Sequence, residues 1–441
     1  MNKQYLTLLT DLYELTMMQG YYKKGQHETV VFDVFYRHNP CGNGYSVCAG
    51  LDQVIDYIKN LHFTYEDVDY LRSLHIFDDD FLQYLSGFHF TGDIYAIPEG
   101  SVVFPKEPLL KVIAPIMEAQ LVETTILNLI NHQSLIATKT SRVVYAADGD
   151  GIMEFGLRRA QGPDAGLYGA RAAMIGGCVG TSNVLAGQLF DVPVMGTHAH
   201  SWIMTFPDEY TAFKYYAELY PDNCTLLVDT YDTLKSGVPN AIRVFQEFKD
   251  AGKPLKKYGI RLDSGDLAYL SKKARKMLDE AGFPDASICA SNDLDEYLLH
   301  DLKAQGAAIN SWGVGTHLIT SKDCPSFGGV YKLSAIKNEN GEFIPKIKIS
   351  ENTEKITNPG NKTIYRVYEK ETGKIKADLI CFADEAFDES QNLLLFDPLE
   401  TWKKTKLAGG TYTMREMLVP IFKNGECIYT CPFCHGDCRI L

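Results

Sequence analysis

The segment from Gly151 to Thr316 constrains the fold most, because short apolar runs alternate there with amphipathic stretches. The stretch VPNAIRVFQEFKDAG, for example, has the periodicity of a helix packed on one face. This alternation predicts parallel βα units, arranged as a TIM-like barrel or as a doubly wound sheet. The predicted strands are GIMEFG from Gly151, DVPVMGT from Asp191, CTLLVDT from Cys224, YGIRLDS from Tyr258, ASICASN from Ala286 and INSWGVGT from Ile309.

The pattern changes on either side of this segment, which places the predicted domain boundaries. Residues 1–148 mix helices and strands, with a first helix capped by Thr10 or Asp11 and an extended run from Val30 to Arg37. DIYAIPEGSVVFP predicts two strands joined by a Pro98–Gly100 turn, and a long helix follows in MEAQLVETTILNLINHQSLIATKTS. Residues 149–325 form the predicted catalytic domain. Residues 326–426 form a β-rich segment expected to pack back on the first domain, and residues 427–441 form a Cys-rich tail.

The charge balance argues against polyanionic partners. Asp and Glu total 56 and Lys and Arg 43, for a net charge of −13, so nucleic acid and anionic membranes should be repelled by the average surface. The N-terminus lacks a secretory signal and no long apolar span occurs, which predicts a cytoplasmic protein that does not enter a membrane. Most of the 11 cysteines stand singly, as reduced thiols do. An anionic ligand would therefore require a local basic pocket.

Polar residues stand where the apolar runs end, and a packed strand has no need of them at its tip. In parallel βα folds the carboxyl ends of the strands meet at one face, where ligands bind. We therefore predict a functional rim at this face. Its members are Glu154, Arg158, Thr197, His200, Asp229, Arg261, Asp263, Asn292 and Thr316.

The rim contains cations suited to a phosphorylated or carboxylated ligand. Arg158, Arg159 and Arg261 carry planar guanidinium groups that bind carboxylates or phosphates. Nearby acids, namely Glu154, Asp263 and Asp266, could either hold these arginines or bind Mg²⁺.

Glycine turns add to this prediction. In SWGVGTHL, Gly313 and Gly315 leave backbone N–H groups open to a phosphate and Thr316 adds a hydroxyl, although the same motif also suits a tight strand-to-helix turn. In GGVYK, Lys332 could reach an anion.

The segment GTHAHSW places two histidines two positions apart at a predicted strand end. A barrel amidohydrolase begins its metal site in this way, but such a site needs more ligands, and only His317 occupies a comparable position. His198 suits a structural role. His200, on the rim with the anion-binding candidates, could act as a nucleophile toward a phosphoryl group.

Seven motifs in order resemble the nicotinate phosphoribosyltransferase family: TDLYELTMMQGYY, EFGLRRAQG, GTSNV, GTHAHSW, RLDSGDL, SWGVGTHL and GGVYKL. The resemblance implies an α/β fold with an irregular TIM-like (α/β) barrel and an N-terminal α/β sandwich domain, and a homodimer. It implies transfer of phosphoribosyl from 5-phosphoribosyl 1-pyrophosphate to nicotinate, giving nicotinate mononucleotide and pyrophosphate in NAD salvage. ATP as co-substrate and Mg²⁺ are implied with it.

The resemblance also assigns roles. It implies that His200 is phosphorylated by ATP, that Tyr13 covers the pyridine ring from its own or a neighbouring subunit, and that Thr197 and Arg261 bind the nicotinate carboxylate. The open alternatives are a related enzyme acting on nicotinamide or quinolinate, and a metal-dependent barrel amidohydrolase.

Further implied contacts concern the phosphoribosyl donor. Gly313, Gly315 and Thr316 should hold its 5-phosphate, and Arg158 should face its pyrophosphate. Asp263 should bind Mg²⁺ or ribose hydroxyls.

The C-terminal segment CIYTCPFCHGDCRIL lies outside these motifs. Cys427, Cys431, Cys434 and Cys438 could close a tetrahedral zinc site, with a reduced tail and an iron–sulfur cluster as alternatives. A zinc-stabilised adaptor would be the non-enzymatic function, and the net charge argues against nucleic acid as its partner.

Overall fold

The computed structural model describes residues 6–253, 255–351, 355–397 and 400–430, which form a mixed α/β protein. The helices are α1 (Leu12–Lys24), α2 (Leu51–Lys59), α3 (Tyr65–Ser73), α4 (Asp79–Leu85), α5 (Ile116–Leu121), α6 (Glu123–Ala146), α7 (Pro163–Ile175), α8 (Val184–Phe190), α9 (His200–Met204), α10 (Glu209–Leu219), α11 (Val238–Asp250), α12 (Leu267–Glu280), α13 (Glu296–Ala304) and α14 (Thr316–Ile319). None of these helices is long and apolar enough to cross a bilayer.

The strands of the described residues follow the same chain order. They are β1 (Thr29–Tyr36), β2 (Ser46–Val47), β3 (Asp93–Ala96), β4 (Val102–Val103), β5 (Leu110–Pro115), β6 (Gly151–Glu154), β7 (Gly180–Thr181), β8 (Cys224–Leu227), β9 (Tyr258–Leu262), β10 (Ser287–Ser291), β11 (Ser311–Val314), β12 (Gly329–Lys337), β13 (Phe343–Pro345), β14 (Lys362–Glu369), β15 (Ile375–Phe382), β16 (Leu393–Phe396), β17 (Lys404–Leu407), β18 (Tyr412–Glu416), β19 (Val419–Lys423) and β20 (Glu426–Cys427).

The chain divides into two compact units. The first comprises the residues up to Ser134 together with those from Ser326 onward, and the second runs from Leu135 to Pro325. Each unit has its own sheet and its own buried apolar side chains.

The second unit is built on a parallel sheet, as the βα alternation predicts. Its strand order is β7-β6-β11-β10-β9-β8, and every pairing in it is parallel. The central strands are apolar because helices cover them; Ile260, Ile288 and Trp312, for example, are buried. The strands predicted from Gly151, Cys224, Tyr258, Ala286 and Ile309 are thereby confirmed.

The strand predicted from Asp191 is wrong. Only Val194 forms a β-bridge there, parallel to Thr181, and the sheet strand at this position is the two-residue β7. The extended segment is short. Helix α8 ends just before Asp191, whose φ is 51°, and the chain enters a loop after Met195, so only one bridge forms. The strand is instead supplied by the first two residues of the GTSNV motif.

The first unit contains an antiparallel sheet of seven strands in the order β13-β12-β1-β5-β3-β19-β20. Strand β1 lies between β12 and β5, and Val30, Val31 and Val34 are fully buried in it. Strands β12 and β19 follow residue 325 in sequence and pair with β1 and β3. The sheet is therefore assembled from both ends of the chain.

The two strands predicted around Pro98–Gly100 both form, but the prediction that they pair with each other is wrong. Strand β3 pairs with β5, whereas β4 pairs with β2 in a separate sheet. Glu99 explains the separation, because its buried carboxylate accepts hydrogen bonds from the amides of Gly50 and Leu51, at 2.6 and 3.0 Å. The predicted turn itself forms, with the amide of Ser101 donating to the carbonyl of Pro98 at 3.3 Å, and Glu99 ties it to the start of α2.

The long helix predicted from Met117 is interrupted after Leu121. Helix α5 ends there, and α6 begins at Glu123. The predicted first helix is α1, with Asp11 at its N-cap position and Gly25 in a left-handed conformation after its last turn.

Candidate active site

The carboxyl ends of the parallel strands surround a cleft of about 610 Å³ in the second unit. The cleft brings together side chains from separate βα units, as the rim prediction requires. The predicted site residues that line it are Arg158, Thr197, His200, Arg261, Asp263, Gly313, Gly315 and Thr316. Tyr13 lies in the first unit, on α1; its side chain is exposed, and partial desolvation together with the nearby carboxylates of Glu123 and Glu14 raises the pKa of its hydroxyl.

Arg261 is held rigidly at the cleft. Near the end of β9, it donates from Nε to Ser291 Oγ at 2.7 Å, from Nη1 to Thr197 Oγ1 at 3.0 Å and from Nη2 to Asp263 Oδ1 at 2.9 Å. Its guanidinium also lies 5.6 Å from the centre of the Phe155 ring. Three of its five N–H groups are thus bonded, and the other two have no partner among the described residues. A carboxylate can accept two such bonds.

Two aspartates stabilise this arrangement from the ends of neighbouring strands. Asp263 accepts from Ser291 Oγ as well as from Arg261. Asp229, just after β8, accepts through Oδ2 from the amide of Asp263 at 2.8 Å and from Ser264 Oγ at 2.6 Å. The loop that follows β9 is therefore fixed by side chains on both sides.

Asp266, considered from the sequence as an arginine partner or Mg²⁺ ligand, caps a helix. Its carboxylate accepts from the amide of Tyr269 at 2.9 Å, at the start of α12.

His200 begins α9 and faces the cleft. Its Nδ1 lies 3.0 Å from Thr230 Oγ1, and its Nε2 lies 3.8 Å from Asp263 Oδ2. Its side chain is 40% exposed, so a ligand in the cleft can reach it. One ring nitrogen is bonded to a neutral hydroxyl, and the other has no hydrogen-bond partner among the described residues.

His198 differs from His200 in burial and in the hydrogen bonding of its ring. It is buried, its Nε2 accepts from the amide of Leu227 at 3.3 Å, and its ring packs edge-on against Tyr216 at 4.6 Å. Burial lowers its pKa to about 4, which keeps the imidazole neutral. The described residues also contain no group of three or more His, Cys, Asp or Glu side chains suited to a metal ion. His198 and His200 therefore lie in different environments, one packed in the interior and the other open to the cleft.

Phe155 is a cleft residue that sequence reasoning missed. It follows β6 directly, its amide donates to the carbonyl of Val314 at 2.8 Å, and its ring occupies the space beside Gly313. A Cβ on Gly313 would lie 2.5 Å from that ring. Gly313 is thus required by an aromatic neighbour, which is a different reason from the close phosphate approach expected from the motif. In the sequence, this phenylalanine stands in EFGLRR between the polar rim residues Glu154 and Arg158, and that position could have indicated that it lines the cleft.

Other cleft residues missed from the sequence are Ser182 and Ser291, and Thr230 contacts His200 from outside the lining. Small hydroxyl side chains at strand ends and in loops carry little sequence signal. Asn292 was expected on the rim and lines the cleft with φ of 103°, a backbone conformation that costs energy for a residue with a Cβ.

Arg158 and Arg159 extend the cationic side of the cleft. They lie on a 3-10 turn spanning Leu157–Arg159, both are exposed, and neither pairs with a carboxylate within the described ranges. Of the predicted zinc ligands, Cys427 lies in β20, and Cys431, Cys434 and Cys438 lie outside the described residues.

A parallel α/β sheet whose strand ends gather arginines, carboxylates and a histidine around one cleft defines an enzyme that acts on an anionic ligand. Family models for nicotinate phosphoribosyltransferase match the chain in three parts. The N-terminal domain model matches residues 8–131, the family model residues 151–372 and the C-terminal domain model residues 361–435. The chain belongs to the nicotinate phosphoribosyltransferase family.

Individual relatives agree with this assignment. Nicotinate phosphoribosyltransferase of Bacillus subtilis (strain 168) is 50% identical over 428 residues, which cover 97% of this chain and 86% of the relative. The crystal structure of human nicotinic acid phosphoribosyltransferase has a TM-score of 0.82 and 29% identity, covering 96% of this chain and 91% of that one. Nicotinate-nucleotide pyrophosphorylase from Pyrococcus furiosus, with a TM-score of 0.74 and 22% identity over 98% of this chain and 94% of that one, shares the fold.

Proposed function

We propose that this chain transfers phosphoribosyl from 5-phosphoribosyl 1-pyrophosphate to nicotinate, coupled to ATP hydrolysis, and so makes nicotinate mononucleotide and pyrophosphate for NAD salvage. The geometry of Arg261 is the observation that supports this proposal most strongly. Three of its N–H groups are fixed by Ser291, Thr197 and Asp263, and two are left for the nicotinate carboxylate.

Nicotinate would lie with its carboxylate on Arg261 and the Thr197 hydroxyl beside it. A bidentate carboxylate contact orients the pyridine ring and so directs its nitrogen. We also propose that Tyr13 covers this ring, in its own or a neighbouring subunit of a homodimer.

The phosphoribosyl donor would bind through its charged ends. Arg158 and Arg159, exposed at the cleft, suit the pyrophosphate, and the turn from Gly313 to Thr316 suits the 5-phosphate. These cations offset a net charge of −13 that would otherwise repel the donor.

Carboxylate oxygens near the cleft fit Mg²⁺. Asp229 Oδ1 is buried without a hydrogen-bond partner in the described part of the chain. Asp263 Oδ2 lies 3.8 Å from His200 Nε2. Mg²⁺ is commonly held by one or two carboxylates together with substrate phosphates, so Asp229 and Asp263 are the residues that would hold it. The ion would neutralise charge on the departing pyrophosphate.

The transfer itself needs no proton from the protein. The lone pair of the pyridine nitrogen forms the bond to the anomeric carbon, the bond to the pyrophosphate oxygen breaks, and that oxygen keeps the electron pair. Arg158 and Arg159 stabilise the leaving charge, and Arg261 holds the acceptor in line.

We propose that ATP phosphorylates His200. The open ring nitrogen would attack the γ-phosphorus and ADP would leave, while Thr230 holds the other nitrogen and Asp263 stabilises the imidazole charge. A phosphate at this position would add negative charge beside the donor site and could order the site until hydrolysis releases it.

Acceptor choice tests the proposed function. With phosphoribosyl pyrophosphate and ATP supplied, we expect nicotinate to be converted, and nicotinamide and quinolinate to react much more slowly. A neutral amide cannot satisfy the charged donors of Arg261, and a second carboxylate would require a further cation. Faster reaction with either competitor would identify a related enzyme instead.

Two structural proposals accompany this function. We propose that the parallel sheet of the second unit belongs to an irregular TIM-like barrel, and that the first unit is the α/β sandwich of the family. A crystal structure tests both, and light scattering tests the homodimer.

We also propose that the C-terminal cysteines bind one zinc ion. The spacing of Cys427, Cys431, Cys434 and Cys438 allows four thiolates around one tetrahedral ion. Metal analysis of the purified protein should find one zinc per chain, lost when all four are replaced by serine. Equal zinc content in both proteins would contradict this.

A further inference from the structure

Glu154 is a buried charged residue that the proposed chemistry does not use. It ends β6, its side chain is fully buried, and it does not line the cleft. Its Oε1 accepts from the amide of Gly156, and its Oε2 accepts from Thr181 Oγ1 at 2.6 Å. Both oxygens are thus bonded within the protein, so Glu154 is not placed to bind Mg²⁺.

The first of these bonds shapes the turn that carries the arginines. Gly156, whose amide Glu154 holds, accepts through its carbonyl from the amide of Arg159 at 2.7 Å. There is no room for a side chain at Gly156, since a Cβ would lie 2.4 Å from Ile319 Cβ and 2.8 Å from Glu154 Oε1. The carboxylate therefore fixes the residue from which the Leu157–Arg159 turn begins.

The second bond ties this turn to the neighbouring strand. Thr181 donates to Glu154 and also accepts from the amide of Asn183 at 3.0 Å, while the main-chain carbonyl of Glu154 accepts from Ser182 at 2.9 Å. Ser182 lines the cleft, as Arg158 and Arg159 do. One buried carboxylate thus connects two cleft-lining segments.

We propose that Glu154 is a positioning residue that holds Arg158 and Arg159 for the pyrophosphate of the phosphoribosyl donor. This inference rests on the proposed function. Glu154 acts through the turn and touches no reacting atom, so its loss should weaken donor binding and leave the nicotinate contacts of Arg261 in place.

Kinetics of four variants test the proposal. Arg158→Ala should raise the KM for phosphoribosyl pyrophosphate at least about tenfold, because a charged contact is lost. Glu154→Ala should raise the same KM by about tenfold and change the KM for nicotinate less than about twofold. Glu154→Gln keeps an oxygen for the Gly156 amide, and its N–H can donate to Thr181 Oγ1, which then accepts where it donated before, so the donor KM should stay within about threefold of the unsubstituted value. In the double variant with both alanines, the rise in donor KM should be smaller than the product of the two single effects, since part of the effect of Glu154 passes through Arg158.

Glu209→Ala is the matched control for loss of a buried carboxylate. Glu209 accepts from Ser236 Oγ at 2.5 Å and from Asn240 Nδ2 at 3.3 Å and does not line the cleft. Its variant should lower the Tm without changing either KM. If Glu154→Ala does not fold, Thr181→Val, which removes one of the two bonds, should raise the donor KM by about threefold.

Three results would overturn the positioning role: a donor KM unchanged in Glu154→Ala, equal rises in both KM values, or additive effects in the double variant. Calorimetric titration with phosphoribosyl pyrophosphate alone separates this inference from the proposed function. A chain that makes no nicotinate mononucleotide but binds the donor more weakly after Glu154→Ala would contradict the function and support the positioning role.

Discussion

Arg261 and Thr197 stand 64 positions apart in the sequence, and Arg261 Nη1 donates to Thr197 Oγ1 across 3.0 Å. The contact joins the end of β9 to the loop that leads into α9, where His200 begins the helix. Because His200 follows Thr197 by three positions, this contact connects the proposed acceptor site to the proposed phosphorylation site.

Replacing Arg261 by alanine should impair nicotinate binding selectively. The variant loses two charged donors for the carboxylate, each worth about 1.5–3 kcal/mol, so the KM for nicotinate should rise by at least about a hundredfold. The KM for phosphoribosyl pyrophosphate should change far less. Arg243→Ala, which removes a guanidinium stacked 3.7 Å over Tyr210 on the outside of the unit, is the control and should leave both values unchanged. Equal effects of Arg261→Ala on both substrates would refute its carboxylate role.

His200 should carry acid-labile phosphate after incubation with γ-labelled ATP. His200→Asn should abolish the label because the attacking nitrogen is gone, and Thr230→Val should reduce it because the ring loses its 3.0 Å partner. His300→Asn, on the exposed face of α13, should keep the full label. A label that survives His200→Asn would place the phosphate elsewhere.

His198 should make the protein less stable as the pH falls. Its pKa is about 4 in the folded protein and about 6.5 when unfolded, so the unfolded chain binds the extra proton first. The contribution of neutral His198 to the free energy of unfolding is fully present above pH 6.5 and is lost as the pH falls toward 4. The free energy of unfolding should decrease by up to about 3 kcal/mol over this range.

Thermal unfolding of the unsubstituted chain and of His198→Gln tests this dependence. The Tm of the unsubstituted chain should fall more steeply between about pH 7.5 and about pH 5, since glutamine has no proton to gain. Parallel curves would show that His198 does not titrate in this range.

Much of the site could be predicted because parallel strands end on one face. Arg158, His200, Arg261, Asp263 and Thr316 were placed on that face from apolar periodicity alone, and all of them line the cleft. The parallel register, not the local sequence around each residue, brings them together.

The missed features depend on contacts that no local pattern encodes. Strand β7 has only two residues, too few for a periodic signal, and DVPVMGT has the stronger strand composition. Glu99 resembles an ordinary turn residue until the amides of Gly50 and Leu51 are seen to bind it. Glu154 was expected among the site's acids, yet its role depends on a threonine 27 positions away.

Product formation from nicotinate and phosphoribosyl pyrophosphate, measured with and without ATP, is the decisive test of the proposed phosphoribosyl transfer. We expect nicotinate mononucleotide and pyrophosphate in equal amounts, formed faster with ATP, and loss of the ATP effect in His200→Asn. No nicotinate mononucleotide under either condition would contradict it.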